Sequence, residues 1–445
     1  MSKPVFIFES PIFTRSGYGD WAHDIAKSLI RYDKYDLRIL PTRWGACSRK
    51  NMVEDIPVEF RNLILNQPLT QQPEVYCKMS IPSEFRPMAK YNIGITAGIE
   101  STCPPAIWLE QINQMNLTVV LSKHVFDVFS RAVFTKTNPD GRQEPLKVGK
   151  PMEILNWSAD TSIYHKTDIT EPEVEDALSK VSENFAFLHV GQWTSGGLYN
   201  DRKDIGNLIR VFLETFKGVK DKPCLIVKTS GAAVCNMDKY DMIARLKEIE
   251  RQVSGGNNAS ADLPKVYLLY GELSEKEMNA LYNHKKVKAH VSFTRGEGGS
   301  GPALLSTLSG KPTIYPAWSG HLDFLNPEYA TFFKGEVKPV AGDAVNEWII
   351  KESSWFYVDY QAAGEKMKSL YYHYGSFLDN AEKLRQENMV KFSEAAMDKV
   401  FHSLLDAYVP QFSTSQKIIL PRLLKKLPSK VVPTEAMPSS AASAA

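Results

Sequence analysis

The chain has 445 residues, too many for one ordinary hydrophobic core, and this points to two domains. Hydrophobic residues make up 43% and charged residues 23%, and the net charge of +2 excludes a chain built to coat nucleic acid or an anionic membrane, leaving only local patches for such contacts. Five cysteines (Cys47, Cys77, Cys103, Cys224, Cys235) show no CxxC or Cys/His spacing and are odd in number, so neither a metal cluster nor a complete disulfide framework is expected, and a reducing cytoplasm is the expected location.

Short β-rich runs alternate with amphipathic runs, the pattern of parallel sheets covered by helices on both faces. The N-terminal MSKPVFIFES reads as a first buried strand rather than a signal peptide. Strands follow at DLRIL, VYCKMSI, NIGIT, TVVLS and MEILN, with helices such as GDWAHDIAKSLI and KHVFDVFSRAVF between them. The stretch from Cys47 to Pro73 is expected to be loop with a short helix. Polar residues from Thr161 to Glu183 mark a hinge, and a second series begins with the strands FAFLHV, CLIVKTS, KVYLLYG, AHVSFT and PTIYPA. The expected division is 1–165, 184–345, a helical segment 346–412 that packs back on the first domain, and a disordered tail 413–445. No stretch approaches the roughly 20 apolar residues of a membrane span. Arg422, Lys425, Lys426 and Lys430 in the tail leave peripheral contact with an anionic membrane open.

The most informative stretch is VSFTRGEGGSGPALLSTLSGKPTIYP, from Val291 to Pro316. A strand runs into a loop with Gly296, Gly298, Gly299 and Gly301, and Pro302 opens a helix where its missing N–H costs nothing. The free N–H groups at Ser300 and Gly301, with the helix dipole, suit a diphosphate. Glu297 sits in the middle, where a carboxylate is better used on sugar hydroxyls or the reacting carbon than on phosphate.

This stretch resembles the donor-site signature of retaining GT-B glycosyltransferases of the glycogen synthase and mannosyltransferase type (glycosyl transferases group 1), EGFGLPxxEA followed by a G-x-P strand. Glu297, Gly298, Pro302, Gly310 and Pro312 match in register. The second glutamate of that pattern, which typically holds the ribose, is replaced by Leu305, and Ser306 or another group would have to take over. A second match is FLHVGQWTSGGLYNDRKDIGNLIRVFLETF, where Arg202 and Lys203 occupy the family's basic position and would clamp the leaving diphosphate. Gly191 ends its strand, and Gln192 and Trp193 stand where the family often has an earlier arginine. In YGELSEKEMNALYNH, Gly271 and Glu272 lie where relatives commonly meet the nucleotide base, and Ser274 with Glu277 forms a capping box. Gly17, Tyr18 and Gly19 lie in the loop that borders donor phosphate or acceptor in relatives, and Asp20 is a possible helix cap.

The run GITAGIESTCPPAIWLEQINQMNLTVVLSKHVFDVF resembles the acceptor-side segment. Glu100, Trp108 and Ser122 match it, and Glu100 is the candidate contact to an acceptor hydroxyl; His124 reads as a cap or surface residue. In ILNWSADTSIYH, Asp160 and Tyr164 match the family's linker. The resemblance implies two Rossmann-like doubly wound α/β domains facing across a cleft, the GT-B fold. It further implies a nucleotide-diphosphate sugar as substrate, no cofactor or metal, and an acceptor that is a glycan, a lipid-linked sugar, a protein or a modified base. A phosphorylase or epimerase on the same architecture, a catalytically silent sugar-binding or assembly subunit, and a transferase modifying nucleic acid bases remain as other readings.

Overall fold

The computed structural model describes residues 3–45, 47–51, 56–193, 198–231, 234–256 and 262–412. The tail from 413 onward, with Arg422, Lys425, Lys426 and Lys430, lies outside the described residues.

The first half comprises β1 (Val5–Ser10), α1 (Gly17–Tyr32), β2 (Asp36–Pro41), α2 (Val58–Leu63), β3 (Val75–Met79), β4 (Tyr91–Thr96), α3 (Ala106–Ile112), β5 (Leu117–Val120), α4 (Lys123–Arg131), β6 (Phe134–Thr137), β7 (Gln143–Leu146) and β8 (Met152–Ile154). Six of these strands form a parallel sheet in the order β2-β1-β3-β4-β5-β8. Covered on both faces, they read in the sequence as near-continuous apolar runs rather than as an alternation. Trp21, Ile25 and Leu29, four residues apart along α1, bury one helical stripe against Phe6 and Phe8. Ser16 caps that helix by accepting from the Gly19 N–H at 3.1 Å, so Asp20 is free to pair with Lys50 at 3.0 Å instead. The antiparallel hairpin β6–β7 was not expected: its residues are mostly exposed and polar, and offer no apolar alternation to read.

The chain crosses to the second half through a segment containing α5 (Pro172–Ser179). There follow β9 (Ala186–Val190), α6 (Ile205–Phe216), β10 (Cys224–Thr229), α7 (Asn236–Ser254), β11 (Val266–Tyr270), α8 (Glu275–Asn283), β12 (Val287–Val291), α9 (Gly301–Thr307), β13 (Thr313–Pro316) and β14 (Thr331–Phe333). Their sheet is again parallel, ordered β11-β10-β9-β12-β13-β14. Strand order reverses between β9 and β12, and open α/β sheets hold ligands beyond the carboxyl ends of the strands at that switch point. The two halves are Rossmann-like, doubly wound sheets.

Beyond them, β15 (Gly335–Pro339) and β16 (Ser354–Val358) form an antiparallel hairpin, so the segment expected to be helical from 346 opens with a strand. Then α10 (Tyr360–Tyr372), α11 (Gly375–Lys391) and α12 (Glu394–Tyr408) divide the helical run. Each braces a different part. On α10, Met367 and Leu370 join the core around α6. On α11, Asn388 donates to Thr307 Oγ1 on α9 and to the Phe324 carbonyl, both at 2.9 Å. The last helix, α12, crosses back to α1, where Phe401 and Leu405 join the first core and Arg31 grips Asp398 at 2.6 and 2.9 Å. Replacing Phe401, 1% exposed, by Ala should cost about 3–5 kcal/mol, read as a lowered midpoint in urea unfolding of the whole chain.

Candidate active site

Arg202 and Lys203 stand just before α6, in the loop that leaves the carboxyl end of β9. Asp204, which follows them, has a left-handed backbone (φ 53°) and a fully buried carboxylate. That carboxylate accepts from Arg295 Nη2 at 2.9 Å, Asn207 Nδ2 at 2.7 Å and the Tyr360 hydroxyl at 2.6 Å. Arg295, immediately before the Gly-rich loop, is 2% exposed; its backbone N–H donates to the Arg202 carbonyl at 2.8 Å and its Nη2 to the Tyr199 carbonyl at 2.7 Å. The loops after β9 and β12 are therefore tied to one another through a buried ion pair, which fixes where the two backbones stand.

This strapping brings the key side chains together. Glu297 Oε1 accepts from Lys203 Nζ at 2.5 Å and Glu297 Oε2 from Arg202 Nη1 at 3.1 Å, while Arg202 Nη2 lies 3.6 Å from Glu100 of the first half. Burial alone would raise the Glu297 carboxyl; Lys203 and Arg202 outweigh it and hold the group at about 2. Its backbone is fixed as well, the N–H donating to Ser319 Oγ at 3.0 Å and the carbonyl accepting from Gly320 N–H at 2.9 Å. Ser319 takes a left-handed backbone (φ 80°) to do so, a local strain tolerated where position matters.

The glycines explain how closely the halves meet. A Cβ on Gly298 would come within 2.0 Å of the Ala97 carbonyl, and one on Gly296 within 1.8 Å of the Glu100 carbonyl. Gly299 faces Leu121 in the same seam. Gly17 and Gly301 both lie against the indole of Trp157, which stands between the loop after β1 and the start of α9. Gly19 packs on the Thr14 backbone, and Tyr18 accepts from Ala97 N–H at 2.9 Å and bonds Thr96 Oγ1 at 3.0 Å. Gly296, Gly298 and Gly299 join the two halves, whereas Gly19 and Tyr18 are engaged within the first half.

Other expected groups fall elsewhere. Glu272 is engaged by the first half, with Arg15 Nε at 2.9 Å and the Ser48 hydroxyl, and Gly271 accepts from Lys228. Gly191 turns at the end of β9 over the His189 ring. Ser300 caps α9 by accepting from Ala303 N–H at 3.3 Å. Ser306, the candidate to take over the ribose, is 2% exposed; its hydroxyl donates back to the Ala303 carbonyl at 3.0 Å and meets Thr313 Oγ1 at 3.1 Å. His124 is neither the cap of α4, a role held by Ser122, nor a surface residue; it packs edge-on against Trp318 and burial holds it at about 4. Sequence reasoning passed over Arg295, Asp204, Ser319 and Trp157. None of the four carried a signal in the sequence pattern. Among the described residues no group of three or more His, Cys, Asp or Glu side chains could hold a metal ion.

No family model matches the sequence, and no curated protein matches it significantly. Solved structures do match the fold. Alr3699/HepE of Anabaena, crystallised with UDP and glucose, aligns over 91% of this chain and 100% of its own with a TM-score of 0.56 and 10% identity. Sucrose-phosphate synthase from Thermosynechococcus elongatus covers 91% and 100% with a TM-score of 0.58 and 9% identity. A glycosyltransferase from Rickettsia africae covers 93% and 100% at 0.59 and 12%. The chain has the fold of these proteins, two facing Rossmann-like domains, the GT-B arrangement.

Glu297→Gln should leave Arg202 and Lys203 short of negative charge, costing about 1–3 kcal/mol as a lower Tm. Pyrophosphate should restore that Tm more than it raises the wild type's. A Tm that stays low with the anion present would show that the two cations are closed to it. The ion pair also has an acid signature. Because the Glu297 carboxyl is depressed below 4.5, its contribution is complete above that pH and is lost as pH falls through about 2, so wild type should lose more stability than Glu297→Gln on acidification.

Proposed function

We propose that the chain is a glycosyltransferase that moves a sugar from a nucleotide-diphosphate donor to an acceptor hydroxyl with retention of configuration. The observation that carries this reading is the convergence of Arg202, Lys203 and Glu297 at the carboxyl ends of β9 and β12, the point where a doubly wound sheet receives a nucleotide. The likeness in fold to Alr3699/HepE, solved with UDP and glucose, supports a nucleotide sugar as substrate.

In this reading the donor's diphosphate replaces Glu297 on Arg202 and Lys203, and the released carboxylate turns to the sugar hydroxyls. The C1–O bond to the β-phosphate breaks as an acceptor C1–O bond forms on the same face, and the acceptor's proton passes to the departing phosphate oxygen. Charge grows on the diphosphate during this step, so fixed cations lower the barrier where they touch it. Glu100, beside Arg202 on the opposite wall, is proposed to orient the acceptor hydroxyl. No metal or cofactor enters the scheme. The acceptor is left as a glycan, a lipid-linked sugar, a protein or a modified base. A cytoplasmic location is proposed from five free cysteines; among the described residues no helix is long and apolar enough to cross a membrane.

A second reading, a silent sugar-binding or assembly subunit, is favoured by Leu305, which leaves α9 without the carboxylate that holds ribose in the family resembled. Turnover separates the two: a transferase releases free nucleotide slowly from its donor without acceptor, and a silent subunit releases none. In a thermal-shift panel of nucleotide sugars, one donor should stabilise the wild type, and Lys203→Ala should lose that shift, its affinity falling about tenfold or more. A wild type unmoved by every nucleotide sugar would sink the donor reading.

A further inference from the structure

The carboxyl edge of the second sheet carries a cation that the scheme above does not use. Lys228 stands next to last on β10, in register with Val190 on β9 and with Leu269 on β11. Neighbours in register share a face of the sheet. Val190 and Leu269 on that face pack, with Leu273 and Leu305, in one apolar cluster, and Lys228 shares the face with Val190 and Leu269. Among the described residues its hydrogen-bond partner is the Gly271 carbonyl at 2.7 Å, which leaves donor capacity over. Glu272, the nearest carboxylate in the chain that follows, is turned away to Arg15 and Ser48. Burial pulls the Lys228 ammonium down to about 8, with Glu272 opposing, so the group is desolvated and a hydrogen bond from it is strong.

A nucleotide whose diphosphate lies on Arg202 and Lys203 at the switch point extends along the carboxyl ends of the adjoining strands. Beside β9 that path meets an apolar shelf with one cation, suited to a flat base that presents a carbonyl. An ammonium has donors only. It rewards a base carbonyl, which uracil, thymine, guanine and cytosine all present, and finds none on adenine.

We propose that Lys228 is the base-reading residue of the donor site, selecting a nucleoside diphosphate whose base carries a carbonyl over one whose base is adenine. This inference rests on the donor reading. Isothermal titration of the full chain with UDP, GDP, CDP, ADP and inorganic pyrophosphate, on wild type and Lys228→Met, tests both. UDP, GDP or CDP should bind wild type at least about tenfold more tightly than ADP, and Lys228→Met should lose about ten- to a hundredfold for that nucleotide. Pyrophosphate affinity, unchanged within about twofold, reports that the variant is folded with its phosphate site intact. Equal binding of the favoured nucleotide by wild type and Lys228→Met, or a preference for ADP, overturns the role of Lys228 and leaves the donor reading standing. Failure of wild type to bind pyrophosphate or any nucleotide overturns both.

Discussion

One carboxylate organises the centre of this protein. Glu297 lies buried between Lys203 and Arg202, and neither the loop after β9 nor the loop after β12 could keep its charge out of water without the other. Taking such ions from water is costly unless opposite charges meet in good geometry, so the pairing fixes where both loops stand. A second buried pair behind it, Arg295 with Asp204, does the same for their backbones. Charge balance within the seam also means that an incoming anion exchanges partners with Glu297 rather than entering an empty positive hole. In the proposed donor reading, that exchange couples binding of a diphosphate to movement of the Glu297 carboxylate.

The seam is closed by backbone rather than by side chains. Gly296 and Gly298 approach the first half so nearly that side chains there would collide with the Glu100 and Ala97 carbonyls. Glycine at these positions thus serves the contact between halves as much as any ligand. Trp157 completes the closure, its indole set between the glycines that begin α1 and α9.

Much of the fold was legible in the sequence because parallel strands buried on both faces leave dense apolar runs, and the central strands of both sheets announce themselves this way. The β6–β7 and β15–β16 hairpins did not, since β7 and β15 are exposed and no pattern separates them from loop. At the site, Glu297, Arg202 and Lys203 were legible because glycines and a helix-opening proline surround the first and a helix start follows the others. Asp204 was not: its importance comes from Arg295, 91 residues away, and a left-handed backbone that no neighbouring residue signals. The direction of the Ser306 hydroxyl was not legible either, because spacing along a helix does not say which way a hydroxyl turns, and here it turns back to the chain.

The path of α12 has a consequence for the independence of the two halves. Phe401 and Leu405 are part of the first half's core although nearly the whole second half intervenes in the chain. A fragment ending at the hinge would leave the stripe of α1 that they cover facing water, and would lack Asp398 for Arg31. The first domain is thus finished only when the last helix has been made, so it is discontinuous in the chain, with the second domain inserted between its parts.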